Sequence, residues 1–449
     1  MIQLKQYLLL ILASVALVAC SDSDDDNDSA ISAAENSYIR VLHASSDAPK
    51  VNVAVDGAEA LADVDYLAGS GFLMLPAGTH SISVDAILAD STTTTVIGPA
   101  QLDFSADSEY SVVALGNVAD GSLAPLILER SKSEFGAGNI RLQVLHASSA
   151  APAVDIYVTQ PNADITAVDA TLSNVAFGDY SGLIEVAAGD YQVRITLAST
   201  KDVVYDSGTL PLETGTDLLL AAVNNTLTGI SPVALIAWSN DGTTVISDTN
   251  AGSELRVVHA SPDAPAVNVL ANGATVLTDV PYTAFSDYLN VPQGDYTVQV
   301  EPTAAVGTYV IDADVTLTKD VAYTVLAINN VADIAPLVVT DMRRSIATEA
   351  GLRLLHASPS AGNVDIYVGV DADISDESPA FTDVAIGQET GRVALNPGDY
   401  YVTVTPTGTQ SAAIGPLLLS LAAGDVVTAV ARDEIGGGLP LGVIVLPRN

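Results

Sequence analysis

From residue 37 onward the chain is a succession of short apolar runs, broken every 8 to 15 residues by turn-forming clusters. In Val154-Asp-Ile-Tyr-Val158 the residues Val154, Ile156 and Val158 fall on one face and Asp155 and Tyr157 on the other. That period of two is the signature of a half-buried strand. Val364, Ile366 and Val368 repeat it against Asp365 and Tyr367. A turn landmark with Pro or Asn near Gly follows at Leu75–Gly78, Val186–Gly189, Val291–Gly294 and Leu395–Gly398. Alternating strands then resume at Tyr191–Ile195, Tyr296–Val300 and Tyr400–Val404, and each unit closes with two more apolar runs, such as Tyr323–Ile328 and Ala335–Val339. Beyond the N-terminal segment no stretch keeps a helical period. Seven or eight short strands per unit predict an all-β chain of immunoglobulin-like β-sandwiches. The Tyr after the turn suits a tyrosine corner, and with few aromatics the cores should be Val, Leu, Ile and Ala.

The units are copies of one another. Arg40-Val-Leu-His-Ala-Ser45 returns as Gln143–Ser148, Arg256–Ser261 and Arg353–Ser358, and the histidines are spaced by roughly 103, 113 and 97 residues. This period is that of a domain, too long for a propeller blade of about 40–50 residues. Four sandwiches are expected at 37–134, 138–248, 253–347 and 351–449, with short polar seams near Lys132–Gly138, Thr249–Ser253 and Thr348–Gly351. Such seams suggest a semi-rigid row of beads.

The recurring pattern R-[VL]-[LV]-H-A-S-[SP]-x-A-P-x-V-[ND]-[VI] resembles the hallmark of a bacterial family, domain of unknown function 4397, found in secreted and lipid-anchored envelope proteins. The resemblance covers residues 37–449. It implies a β-rich domain and an envelope location; it implies no reaction and no ligand, so it transfers no functional residues.

At the N-terminus, Lys5 precedes an uncharged run from Tyr7 to Ala19 and then Cys20. The run is shorter than the roughly 20 residues of a membrane span and suits the apolar core of a secretory signal over residues 1–19. Leu17-Val-Ala-Cys20 resembles a lipobox, which makes Cys20 the acylated residue and the membrane anchor. Ser21 in place of aspartate favours the outer membrane by the enterobacterial sorting rule. Residues 20–36, opening Ser21-Asp-Ser-Asp-Asp-Asp, read as an acidic, extended tether. Cys20 is the one cysteine, so the domains stand without disulfides. A formal charge of −38 argues against nucleic-acid partners. Its Asp-rich, Lys-poor make-up suits a salt-tolerant organism.

Five sets of residues invite chemistry. His43 with Ser45, His146 with Ser148, His259 with Ser261 and His356 with Ser358 could each pair on one strand face. A triad, however, also needs an acid, and Asp47 and Asp263 become Ala150 and Ser360 in the other units. A strand-ending histidine before a shaped turn is the preferred reading. His80 takes the place of Tyr191, Tyr296 and Tyr400, which marks a packing and hydrogen-bonding position. Asn52, Asp155, Asn268 and Asp365 sit on strands where such residues are disfavoured, so each either accepts a hydrogen bond from a neighbouring loop or lies in a binding surface. The pairs Asp63/Asp65, Asp312/Asp314 and Asp371/Asp373 could hold calcium weakly, but fall at unrelated places, so a solvated acidic surface is the preferred reading. Trp238 is the sole tryptophan, which leaves Tyr157 and Tyr367 as carbohydrate-stacking platforms. No zincin, hydrolase-elbow, phosphate-loop or dinucleotide motif is present.

The sequence thus predicts a non-enzymatic, lipid-anchored envelope protein, a structural, adhesive or interaction module acting through avidity. It assigns no catalytic residue, metal or cofactor. The partners expected are the membrane, through Cys20, and an envelope protein or polysaccharide. The alternative is an extracellular polysaccharide- or solute-binding protein assisted by calcium.

Overall fold

The computed structural model describes residues 35–134, 136–226 and 229–447. Cys20, the signal segment and nearly all of the acidic tether lie outside them. The described chain is all-β and forms four sandwiches, each of two packed sheets. In the first, the strands are β1 (Asn36–His43), β2 (Val51–Val55), β3 (Ala58–Val64), β4 (Leu73–Pro76), β5 (Gly78–Ile87), β6 (Thr93–Phe104), β7 (Ser108–Leu115) and β8 (Ala124–Ser131). One sheet has the order β4-β1-β7-β8 and the other β3-β2-β5-β6. β1 and β7 run parallel, with Val41 opposite Val112, and the other neighbours are antiparallel. The later sandwiches repeat this order, with Asn139–His146, Ser253–His259 and Ala350–His356 in the place of β1. The second adds a strand, Gly242–Ile246, at one edge. The immunoglobulin comparison holds for the two-sheet architecture, while the strand order and the eighth strand are this repeat's own.

Local chemistry accounts for the connections. β2 and β3 are joined by Asp56-Gly57, both in the left-handed region at φ 52° and 79°, and the third sandwich uses Asn272-Gly273 at 50° and 75°. These are two-residue hairpin turns whose twist matches the strands. The second and fourth sandwiches carry longer loops there, 160–171 and 370–380. Inside, aliphatic side chains such as Ile39, Val41, Val53 and Val84 fill the first core, and the other three cores are built alike.

The first strand of each repeat is buried on both faces. Ile39 and Val41 point into their own sandwich, whereas Leu42 joins a second cluster with Val113 and Leu128 that also holds Leu145, Leu219, Ile236 and Trp238 of the next repeat. Leu326, Ile328, Leu355, Val430 and Ile444 do the same between the third and fourth repeats. The β1-bearing sheets therefore pack face to face, and each pair of repeats is a four-layer body. A row of beads is not what forms. The faces a bead would expose are apolar, so they close on each other.

Candidate functional site

Each recurring histidine ends its strand and turns its ring back onto the loop that follows. Nε2 donates to the carbonyl six residues on: Pro49 at 2.9 Å, Pro152 at 3.1 Å, Pro265 at 3.1 Å and Gly362 at 2.7 Å. A carbonyl only accepts, so Nε2 carries the hydrogen and the ring is neutral with Nδ1 as acceptor. In three repeats Nδ1 faces the backbone N–H of Ser148, Ser261 or Ser358, at 3.3, 3.4 and 3.2 Å. In the first it is buried without a partner. The four rings are no more than 1% exposed. Burial pushes all four pKa values below 6.5, against the smaller opposing effect of the carbonyl bond. Tyr66, Phe177 and Tyr282 meet the first three rings edge-on at 6.2, 6.5 and 5.9 Å.

The serines do not join the histidines. Ser148 Oγ donates to Asn224 at 2.7 Å and Ser358 Oγ to Asp433, both at the end of the strand equivalent to β7. Ser45 Oγ reaches Asp47 at 3.3 Å, and Ser261 Oγ is buried without a partner. No serine hydroxyl is hydrogen-bonded to a motif ring, and three of the four rings have both nitrogens engaged.

The loop beyond the serine is held in two alternating ways. In the first and third repeats an aspartate of the loop caps the turn after β7 or its equivalent. Asp47 accepts from Val118 and Ala119 N–H, both at 2.9 Å, and Asp263 from Val331 at 2.7 Å. In the second and fourth, where Ala150 and Ser360 stand instead, Asn224 and Asp433 reach the other way. Asn224 takes the Ala150 N–H at 2.9 Å. The change of residue that argued against a triad is thus a change of cap.

Asn52, Asp155, Asn268 and Asp365 each accept a backbone N–H from the neighbouring edge strand: Asp63 at 3.0 Å, Asn174 at 2.7 Å, Asp279 at 3.0 Å and Asp383 at 2.8 Å. All four donors sit in the left-handed region, φ 51–55°, where the register slips by a bulge. Asp155 and Asp365 also take a second N–H, from Ser199 at 2.9 Å and Gly408 at 2.8 Å. Of the two alternatives for these positions, the geometry is that of the hydrogen-bond acceptor.

The tyrosine position repeats as a corner. Tyr191, Tyr296 and Tyr400 donate to the carbonyls of Ala187, Pro292 and Asn396 at 2.7, 2.9 and 2.9 Å. His80 makes the same bond to Pro76 through Nε2 at 2.8 Å, while its Nδ1 pairs with Asp56 at 2.6 Å. That hydrogen bond raises its pKa.

Two features of the alternative reading fail on burial and placement. Tyr157 and Tyr367 are 2% and 4% exposed, and Lys201 caps the Tyr157 hydroxyl at 2.8 Å. They are not stacking platforms; Lys201 lies over the Tyr157 ring at 4.6 Å and is tied at 2.8 Å to the Val168 carbonyl of the long loop. The acidic pairs also do not converge. Asp65 pairs with Arg344, Asp314 accepts from Thr297, and Asp371 and Asp373 cap their own turns. Among the described residues no group of three or more His, Cys, Asp or Glu side chains is placed to hold a metal ion.

Residues that sequence reasoning passed over hold the pairs together. Arg40, 1% exposed, lies over the Trp238 ring at 4.2 Å and donates to the Trp238 carbonyl at 3.2 Å and to Ser111 at 2.8 Å. Its pKa is lowered to about 10, mainly by burial. The Trp238 indole N–H returns a bond to Ser70 carbonyl at 2.8 Å. Arg130 of the first repeat forks onto Asp217 of the second at 3.0 and 2.8 Å. In the other pair Arg256 lies over Tyr288 at 4.6 Å and reaches the Pro447 carbonyl at 2.8 Å. Tyr66 and Tyr282 donate across their interfaces to the carbonyls of Asn224 and Asp433, each at 2.7 Å. The signal was present in Asn52/Asn268 against Asp155/Asp365, and in Asp47/Asp263 against Ala150/Ser360. The four repeats alternate in two types, and one of each type makes a pair.

These features define a class, a tandem β-sandwich protein whose recurring polar residues serve its own loops, bulges and interfaces. The family model described as domain of unknown function, DUF4397, matches residues 37–157, 158–249 and 253–367, and the chain belongs to that family. The first and third matched spans run through one sandwich and into the second strand of the next. No characterised relative matches the chain. A solved structure described as a streptococcal ancillary pilin is 14% identical and covers 66% of this chain and 99% of its own, at a TM-score of 0.14. A superposition that weak carries no argument.

Proposed function

We propose that the chain is a lipid-anchored, non-enzymatic envelope protein in which two paired bodies form a structural or interaction module at the outer membrane. Cys20 is the anchor and residues 20–36 the spacer that lifts the module off the membrane. The observation that supports this most is the internal use of the His-Ala-Ser motif. In all four copies its histidine closes its own loop, so what recurs along the chain is a scaffold. The polysaccharide-binding alternative loses its two tyrosine platforms to burial.

The test is fractionation and cross-linking in intact envelopes. Wild type is expected in the membrane fraction, cross-linked to a defined envelope protein or glycan, and Cys20→Ala in the soluble fraction. Membrane retention of Cys20→Ala would remove the anchor. A wild-type protein that cross-links to nothing in intact envelopes would remove the module.

A further inference from the structure

The core of the third sandwich leaves a larger gap than that of the fourth, where a void of about 20 Å³ lies among Leu354, Val402 and Val443. Between the sheets of the third lies a cavity of about 60 Å³, lined almost wholly by aliphatic side chains, among them Val269, Ala271, Val276, Val298 and Val315. The register shows how it arises. Ala271 pairs with Val298, and the residues at that place in the other repeats are Val55, Val158 and Val368. Val315 pairs with Tyr296, where the other repeats have Leu102, Leu210 and Leu419. Two side chains are thus shortened at one end of one core, with nothing enlarged opposite: Val267, Val298 and Val300 are valines too.

The space exceeds the roughly 10–15 Å³ that one water needs, but an apolar lining offers water no partners, and such cavities stay dry and take up apolar guests. Ala271 precedes the Asn272-Gly273 turn, and Val276 on the following strand is 44% exposed. The hollow end of the core is therefore also the end beside a two-residue turn and solvent.

We propose that the third sandwich is a binding site for a very small apolar molecule, a hydrocarbon of a few carbons, held between its sheets by dispersion and exclusion of water. The site lies in the third repeat, and it goes beyond the scaffold role proposed above, which stands or falls on Cys20 and the envelope partners.

The probe is xenon, applied to the intact chain without its signal segment. Wild type is expected to show a saturable xenon-129 chemical shift and an unfolding midpoint that rises with xenon pressure. Restoring the side chains of the other repeats, Ala271→Val with Val315→Leu, should reduce the xenon response to the linear shift of surface contacts. It should also abolish the effect of xenon on the midpoint and raise the unliganded midpoint. If the double variant does not fold, Ala271→Val alone gives the same comparison with a smaller change. A linear xenon response and an unmoved midpoint in wild type would overturn the proposal, and so would a saturable response that survives in the filled, folded variant.

Discussion

At the scale of single residues, the motif histidines make the protein sensitive to acid. Each ring is neutral when folded, with a pKa held below the 6.5 of the unfolded chain by burial. Below about pH 6.5 the unfolded chain binds protons that the folded one refuses. Stability is therefore full above that pH and falls as pH drops, by up to about 1.4 kcal/mol per unit for each histidine until the folded pKa is reached. Urea midpoints, above the main carboxylate range, should stay nearly level from pH 8 to pH 7 and fall from about pH 6.5 to pH 5.5, and a profile flat throughout would mean the rings are not buried neutral. His80 has the opposite sign. Its pKa is raised by Asp56, so its contribution is complete below pH 6.5 and is lost as pH rises through the folded value. His80→Tyr installs the side chain of the other three repeats and keeps the bond to the Pro76 carbonyl. The stability gap between wild type and this variant should narrow from pH 5.5 to pH 8, and a constant gap would show that the Asp56 pair is not coupled to folding.

At the scale of elements, the alternation in Val154–Val158 was enough to locate the strand, and the recurring Asn or Asp was visible as a residue out of place. Its partner was not, since the bulge N–H lies 11 residues away for Asn52 and 19 for Asp155, and a bulge has no local sequence signal. Asp155→Ala should cost about 2–4 kcal/mol, because it strands two N–H groups that a carboxylate now holds. Asp155→Asn should cost about half as much, since Asn52 and Asn268 hold the bulge with one oxygen. Equal losses for both substitutions, read from denaturant midpoints, would show that packing rather than the bond matters there. The parallel pairing of β1 with β7 was beyond reach for the same reason of distance, as the two strands lie some 70 residues apart. Double-faced burial did leave a trace. Ala322–Ile328 and Ala350–His356 are buried throughout, and apart from Thr324, Arg353 and the closing His356 both read as apolar runs instead of alternating ones.

At the scale of the molecule, the pair replaces the single repeat as the unit of stability. A row of independent beads would release fragments of about 100 residues on limited proteolysis. The pairs predict fragments close to residues 36–246 and 253–447, with the seam between them cut first. Arg344 bridges the two bodies, donating to the Ser46 carbonyl at 3.1 Å and pairing with Asp65, so that seam should open only slowly. The first repeat expressed alone as residues 35–134 would present Leu42, Val113 and Leu128 to water around an Arg40 that has lost Trp238. It should self-associate or fail to fold, whereas residues 35–248 should be a folded monomer. Trp238 supplies the readout, because its ring is fully buried against the first repeat while its backbone belongs to the second. Its emission should shift to the red in the same urea transition that removes the β-sheet circular dichroism of residues 35–248, as a single cooperative unit requires. Arg40→Ala should move both signals together to lower urea. An early tryptophan shift that leaves the sheet signal intact, or a monomeric first repeat as stable as the pair, would show that the sandwiches fold separately and meet only afterwards.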